Sequence, residues 1–136
     1  MPSRFVKTTT HPAIDQRLCG RVREIGPGSS TVELALVDEM RADALGLVHG
    51  GFVFGAADYA AMVAVNDPNV VLGSAEVRFT SPTRVGDTLV FEARVDSTAG
   101  RKRTVAVSGR KADGTEVFAG SFVCFVLDAH VLQTVR

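Results

Sequence analysis

The chain has no charge of one sign to spare. Fifteen lysines and arginines balance fifteen aspartates and glutamates over 136 residues, which leaves no field to draw it onto nucleic acid or an anionic membrane. No apolar core of signal-peptide type follows the amino terminus, MPSRFVKTTTHPAID, and the longest apolar run is broken by Asp58 and short for a bilayer span. These absences predict a cytoplasmic protein with neither a nucleic-acid nor a membrane partner. Only two cysteines occur, Cys19 and Cys124, in no CxxC spacing and without a nearby histidine. Free, packed thiols are expected of them, and neither metal nor redox work. No internal repeat, low-complexity tract or linker divides the sequence, so one domain over residues 1–136 is expected, small enough for a second copy to complete its core.

What is present is period-two patterning around one apolar stretch. Residues 19–25 and 30–37 predict a hairpin across the turn Gly26-Pro27-Gly28-Ser29, with Val32, Leu34 and Leu36 on a fully apolar face. Residues 38–51 read as a loop or short irregular helix. A helix then runs to Asn66-Asp67-Pro68, where asparagine with proline beyond it forms a stop. Four more strands are predicted at 70–81, 87–97, 103–111 and 115–127. In the second of these, Leu89, Phe91, Ala93 and Val95 alternate with Thr88, Glu92 and Arg94, as in an antiparallel sheet with one packed face. Turn chemistry falls at Pro82–Gly86, Ala99-Gly100 and Asp113-Gly114. Two strands, one buried helix and four strands make an α+β fold, a single sheet wrapped around one helix.

The helix raises the functional question. Residues 49–66, HGGFVFGAADYAAMVAVN, are apolar on every side except for Asp58. One sheet cannot cover such a helix all round, and a second copy of the chain is the simplest further cover. Within that wrapping Asp58 has no salt-bridge partner on its own face, formed by Phe54, Gly55, Ala61 and Met62, so its charged form loses water. A structural role, bonding a neighbouring hydroxyl or backbone amide, is the competing reading. His49-Gly50-Gly51 stands immediately before the helix and places two amides, unshielded by side chains, at the positive end of its dipole, a setting suited to an oxygen gathering negative charge. Eight residues separate Gly50 from Asp58, about 12 Å along a helix, so one small reacting group touches both only if two chains share it.

The stretch HGGFVFGAAD resembles the HGG-x-x-F-x-x-x-D motif of hotdog-fold acyl-CoA thioesterases of the PaaI type. The preceding Leu45-Gly46-Leu47-Val48 and the later FTSPTRVGDTLVFEARV (79–95) resemble the same family, and the likeness runs over residues 18–127. The resemblance implies a hotdog fold, a homodimer or dimer of dimers, and an acyl-CoA substrate with no cofactor beyond the coenzyme A that the substrate carries, and no metal. It implies Asp58 as general base or nucleophile on the thioester, the Gly50 amide as oxyanion donor across the dimer, and His49 with Gly51 as the loop that shapes the substrate site. Asp43 stands where the family commonly has an asparagine that positions substrate or water, and Ser74 stands near the place of a water-orienting serine, where a solvent-facing strand serine is the plainer reading. Arg101 and Arg103 on a hairpin, with Arg78 and Arg84, are candidate partners for the coenzyme A phosphates, against the plain reading of a solvated turn. Phe52, Phe54, Tyr59, Met62 and Phe79 serve equally as acyl pocket or core. The same fold also serves as a non-catalytic acyl-CoA-binding or regulatory module, which is the alternative function; a dehydratase-type motif is not matched.

Overall fold

The computed structural model describes residues 7–133; the leader up to residue 6 and the last three residues lie outside the described residues. Before the first strand, the Asp15 side chain accepts from the Arg17 and Leu18 amides and starts one turn of helix, α1 (Gln16–Cys19), which Gly20 ends at φ +106°. That turn takes Cys19 out of the strand predicted at 19–25, which begins instead at Arg21. β1 (Arg21–Gly26) and β2 (Ser29–Ala35) form the hairpin, α2 (Gly50–Val65) follows a loop, and β3 (Val70–Phe79), β4 (Thr88–Ala99), β5 (Lys102–Lys111) and β6 (Glu116–Val126) complete the chain's sheet. Every neighbouring pair is antiparallel, and the order is β1-β2-β4-β5-β6-β3. One main helix lies against this six-stranded sheet, the arrangement the sequence pattern predicts and the hotdog fold that the family resemblance implies.

Alternation decides which side chains meet the helix. Val32, Leu34, Leu89, Phe91, Val105, Phe118 and Phe122 point inward and are buried, each large one stabilising the fold by roughly 2–3 kcal/mol. The rings of Phe91 and Phe122 both stand 6.2 Å from that of Phe118. Gly109 is required among them, since a Cβ there would come within 2.7 Å of the Phe91 ring.

α2 lies mainly over β2, β4 and β5 and reaches less of β6 and β3. Its sheet-facing residues, among them Val53, Ala57, Ala60 and Ala64, are buried, whereas Phe54, Gly55, Asp58 and Val65 stay half-buried. On β3 the inward side chains Leu72, Ala75 and Val77 are likewise half-buried and Phe79 is 53% exposed. The helix that reads as apolar all round is therefore covered on one side and open along the Phe54–Asp58–Val65 stripe.

The helix stops at Asn66, which adopts the left-handed conformation (φ +55°, ψ +54°) and donates its backbone N–H to the Met62 carbonyl. Its side chain accepts from the Thr9 amide at 2.7 Å and donates to the Lys7 carbonyl at 2.8 Å, while the Thr9 hydroxyl donates to the Asn66 carbonyl. The leader is thus tied across the end of α2.

Candidate functional site

The loop before α2 is shaped by one carboxylate. Asp43 Oδ1 accepts from the amides of Leu45 and Leu47, at 3.0 and 3.1 Å, and Gly46 turns at φ +84°. Short bridges join Arg41 to Val48 and Leu47 to Arg84. An asparagine offers the same carbonyl-type acceptor, so in this chain the acid at 43 performs the loop-turning task that either residue allows.

His49 caps the helix with its ring. Its Nδ1 accepts the Gly51 N–H at 2.8 Å, which places the ring's proton on Nε2 when neutral. The close approach explains Gly51, because a Cβ there would lie 2.7 Å from Nδ1. With Gly51 engaged and the Phe52 amide bonded to the His49 carbonyl, the Gly50 N–H is left without an acceptor among the described residues. The tip of α2 thus presents one selected donor, where the dipole is positive. Beside it lies a cavity of about 120 Å³ lined by Gly50, Val53, Phe79, Pro82, Thr83 and Val117. A larger hollow, about 430 Å³, shares Leu47, Pro82 and Thr83 with it and is walled by Asp43, Leu45, Arg84 and Lys111. Lys111 escapes sequence reading because its strand position gives no sign that it reaches the loop.

Asp58 is singular. Its Oδ1 is the one buried side-chain oxygen or nitrogen that finds no hydrogen-bond partner among the described residues. An orphaned buried acceptor is uncommon and costs of order 1–3 kcal/mol. Burial pushes its carboxyl up from 3.8 to about 6. The structural reading of this residue, a bond to a neighbouring hydroxyl or amide, is not met among the described residues. Its charge is felt by both thiols: burial foremost and then Asp58 push Cys124 up to about 12, and burial, Asp15 and Asp58 raise Cys19. Neither is a thiolate at neutral pH, as expected of packed cysteines.

The remaining candidates are spread out. Ser74 and Arg78 stand exposed on β3, on the face turned away from α2, since their cross-strand partners Val123 and Ala119 alternate with the buried Phe122 and Phe118. Arg101 and Arg103 sit on the β4–β5 hairpin, at the opposite end of the sheet from Gly50. Arg101 pairs with Asp128, and Arg103 donates to the Gly100 carbonyl at 2.7 Å. Tyr59 and Met62 belong to the core, Tyr59 with its ring 6.0 Å from that of His11. Phe54 and Phe79 flank the open side. Within one chain, Gly50 and Asp58 stand about two turns of helix apart.

The profile of the Thioesterase superfamily matches residues 45–118, more than half of the chain, including the whole of α2 and β3. The chain belongs to this superfamily. Among solved structures, this thioesterase-superfamily chain superposes on the uncharacterized protein PH1136 of Pyrococcus horikoshii with a TM-score of 0.92 at 49% identity, covering 94% of this chain and 98% of that one. It is 46% identical over 120 residues to the methylthioribose-1-phosphate isomerase of Aquifex aeolicus, 88% of this chain but 26% of that protein. It is 31% identical over 87 residues to the transcription factor FapR of a Thermoanaerobacter species, 64% of this chain and 43% of that protein. The chain therefore spans about a quarter of the first relative's length and less than half of the second's. A hypothetical thioesterase from Streptococcus pneumoniae, crystallised with coenzyme A, shares the fold at a TM-score of 0.73 and 16% identity over 81% of this chain and 87% of that one. So does the Escherichia coli PaaI protein, at 0.71 and 21% over 76% and 80%.

Proposed function

We propose that two copies of this chain hydrolyse an acyl-CoA or acyl-carrier thioester, each site combining Asp58 of one copy with the Gly50 amide of the other. The observation that carries this reading is the unpartnered, buried Asp58 oxygen on a helix whose tip holds one unengaged amide. A carboxylate held near 6 is ionised at neutral pH yet basic enough to take a proton. Water adds to the thioester carbonyl carbon as Asp58 accepts its proton. The carbonyl oxygen becomes an oxyanion held by the Gly50 N–H, and collapse of the tetrahedral species breaks the carbon–sulfur bond, the thiolate leaving with the proton that Asp58 returns. Direct attack by the carboxylate, with a mixed anhydride that water then opens, uses the same two groups. The superfamily membership and the coenzyme A bound by the Streptococcus thioesterase support the substrate class. Lys111, which lines the hollow next to Gly50 together with Arg84, joins Arg78, Arg84, Arg101 and Arg103 as a candidate partner for the phosphates. No other cofactor is needed, and among the described residues no helix is long and apolar enough to cross a membrane.

Asp58→Asn is expected to keep the fold and lower hydrolysis by on the order of a hundredfold or more. In the wild type the rate is expected to rise with pH through about 6, as the base loses its proton. Near-normal turnover by the asparagine variant removes Asp58 from the chemistry. The FapR likeness favours a second reading, a module that binds acyl-CoA without turning it over. Titration calorimetry on acyl-CoAs of several chain lengths that shows binding and no thiol release selects that reading.

A further inference from the structure

Among the described residues the buried polar ones are Thr10, Ser30 and Thr83. Two of them are satisfied, since the Thr10 hydroxyl lies 2.6 Å from His11 Nδ1 and Ser30 donates to the Ala60 carbonyl at 2.7 Å. Thr83 is not. It is only 5% exposed, and its one hydrogen bond among the described residues runs through its backbone carbonyl, which accepts the Val48 N–H at 2.9 Å. The unbonded hydroxyl oxygen is not sealed either, a standing that falls to Asp58 Oδ1 alone. Thr83 lines both the cavity beside Gly50 and the larger hollow next to it, so the little surface its hydroxyl keeps opens there.

The position of that hydroxyl is fixed by the backbone. The Val48 bond and the bridge from Leu47 to Arg84 clamp residues 83 and 84 to the loop that leads into α2. The Arg84 amide, bonded to Asp87 Oδ2 at 3.0 Å, holds the far side. Thr83 is thus a preorganised polar group in the wall of the cavity that holds the Gly50 amide. The rest of that wall is largely apolar: Val53 and Val117 are buried, and the Phe79 ring lies against Gly50. Ser81, on the same wall, is only half-buried.

We propose that the cavity beside Gly50 receives the acyl group, and that the Thr83 hydroxyl selects short acyl chains, of about four or five carbons, that carry an oxygen of their own. This deepens the thioesterase reading and rests on it for the place of the reacting carbonyl. Size sets the length: an apolar cavity of about 150 Å³ holds one benzene, so about 120 Å³ takes roughly five carbon-sized atoms. The pantetheine arm is long, with amides to solvate and phosphates to bring to the surface, whereas a chain that ends against Val53 and Val117 must be short and terminal. Chemistry sets the class. A plain alkyl chain filling the cavity would cover the Thr83 hydroxyl and leave it unsatisfied, at a cost of about 1–3 kcal/mol. A hydroxyl or keto oxygen on the chain bonds it instead, and a site with a polar group to satisfy discriminates against the analogue that lacks the partner.

Hydrolysis of butyryl-, 3-hydroxybutyryl-, acetoacetyl- and octanoyl-CoA reads both parts of the proposal. One of the two oxygen-bearing chains is expected to exceed butyryl in kcat/KM by on the order of tenfold, and octanoyl to trail butyryl by a similar factor. Thr83→Val keeps the side chain's shape, and the ratio of the oxygen-bearing chain to butyryl is expected to fall to about one. Phe79 is 53% exposed, so Phe79→Ala widens the cavity without opening the core and is expected to raise octanoyl relative to butyryl. Butyryl as good as both oxygen-bearing chains, octanoyl as good as butyryl in the wild type, or a ratio unmoved by Thr83→Val overturns the proposal. An equal loss on all four substrates in Thr83→Val assigns the hydroxyl to the pantetheine arm and overturns it too. Titration calorimetry of the same four compounds on Asp58→Asn separates this inference from the reaction. Preference for an oxygen-bearing chain there, with no turnover by the wild type, keeps the role of Thr83 and removes the hydrolysis; turnover without preference does the reverse.

Discussion

Asp58 joins the fold's stability to its chemistry through one proton. Its carboxyl ionises near 3.8 in the unfolded chain and about 6 in the folded one. The folded state therefore binds more protons between those values, and stability falls as pH climbs through that window and stays lower above it. Asp58→Asn is expected to be the more stable protein at pH 8, by on the order of 3 kcal/mol, and to have no advantage below pH 4. Urea midpoints of the two proteins across pH 4 to 8 check this, and equal midpoints at both ends would show that the carboxyl is well solvated. A site that is stabilised by deleting its own base is one where function is held against the fold's preference. The residue itself was legible in the sequence, because a lone acid in an apolar helix needs a reason. Its lack of a partner was not, since a serine or threonine brought over by the sheet would have satisfied it and only three-dimensional packing excludes that.

At the level of elements, α2 is defined at both ends by side chains that do two things at once. His49 takes the Gly51 amide and so leaves Gly50 as the donor, while Asn66 supplies the left-handed stop and ties the leader through Thr9 and Lys7. Asn66→Ala is expected to cost roughly 2 kcal/mol, from a strained left-handed alanine and the lost bonds to the leader. Asn66→Gly keeps the backbone conformation and is expected to cost less. Thermal melts of both rank the two contributions, and an alanine variant as stable as wild type would mean that the leader's bonds contribute nothing. Both helix ends could be placed from sequence within a residue or two, because proline, asparagine and the glycine pair punctuate them. The turn α1 went unread there: four residues carry no periodicity, and only the Asp15 cap and Gly20 define it. The reach of Ser74 toward the site also fails within one chain, for β3 points that residue to the outer face.

For the whole molecule, the two-chain site makes a test that no single-chain site passes. Gly50 is the first residue of α2 and the preceding His49 is extended, with ψ at 129°, so Gly50→Pro removes the amide where proline fits a helix well. Alone, Asp58→Asn and Gly50→Pro are each expected to be inactive. Mixed after dissociation, half of the dimers are mixed, and in each of these one site regains both groups, so activity is expected to recover to about a quarter of wild type. No recovery on mixing would place both groups within one chain.

By itself the sequence determined the classes of side chain and their periods: which strand faces are apolar, where the helix begins and stops, and that a carboxylate and a bare glycine amide stand eight residues apart. These follow from local rules of spacing and backbone freedom, which need no partner in space. The tertiary structure alone decided that Asp58 is left unbonded, that the Gly51 amide is taken by His49, that α2 is open along one stripe and that β3 is an edge strand with Glu76 and Arg78 turned outward. Such facts depend on strand order and on how far one helix covers one sheet, and residues distant in the chain set both.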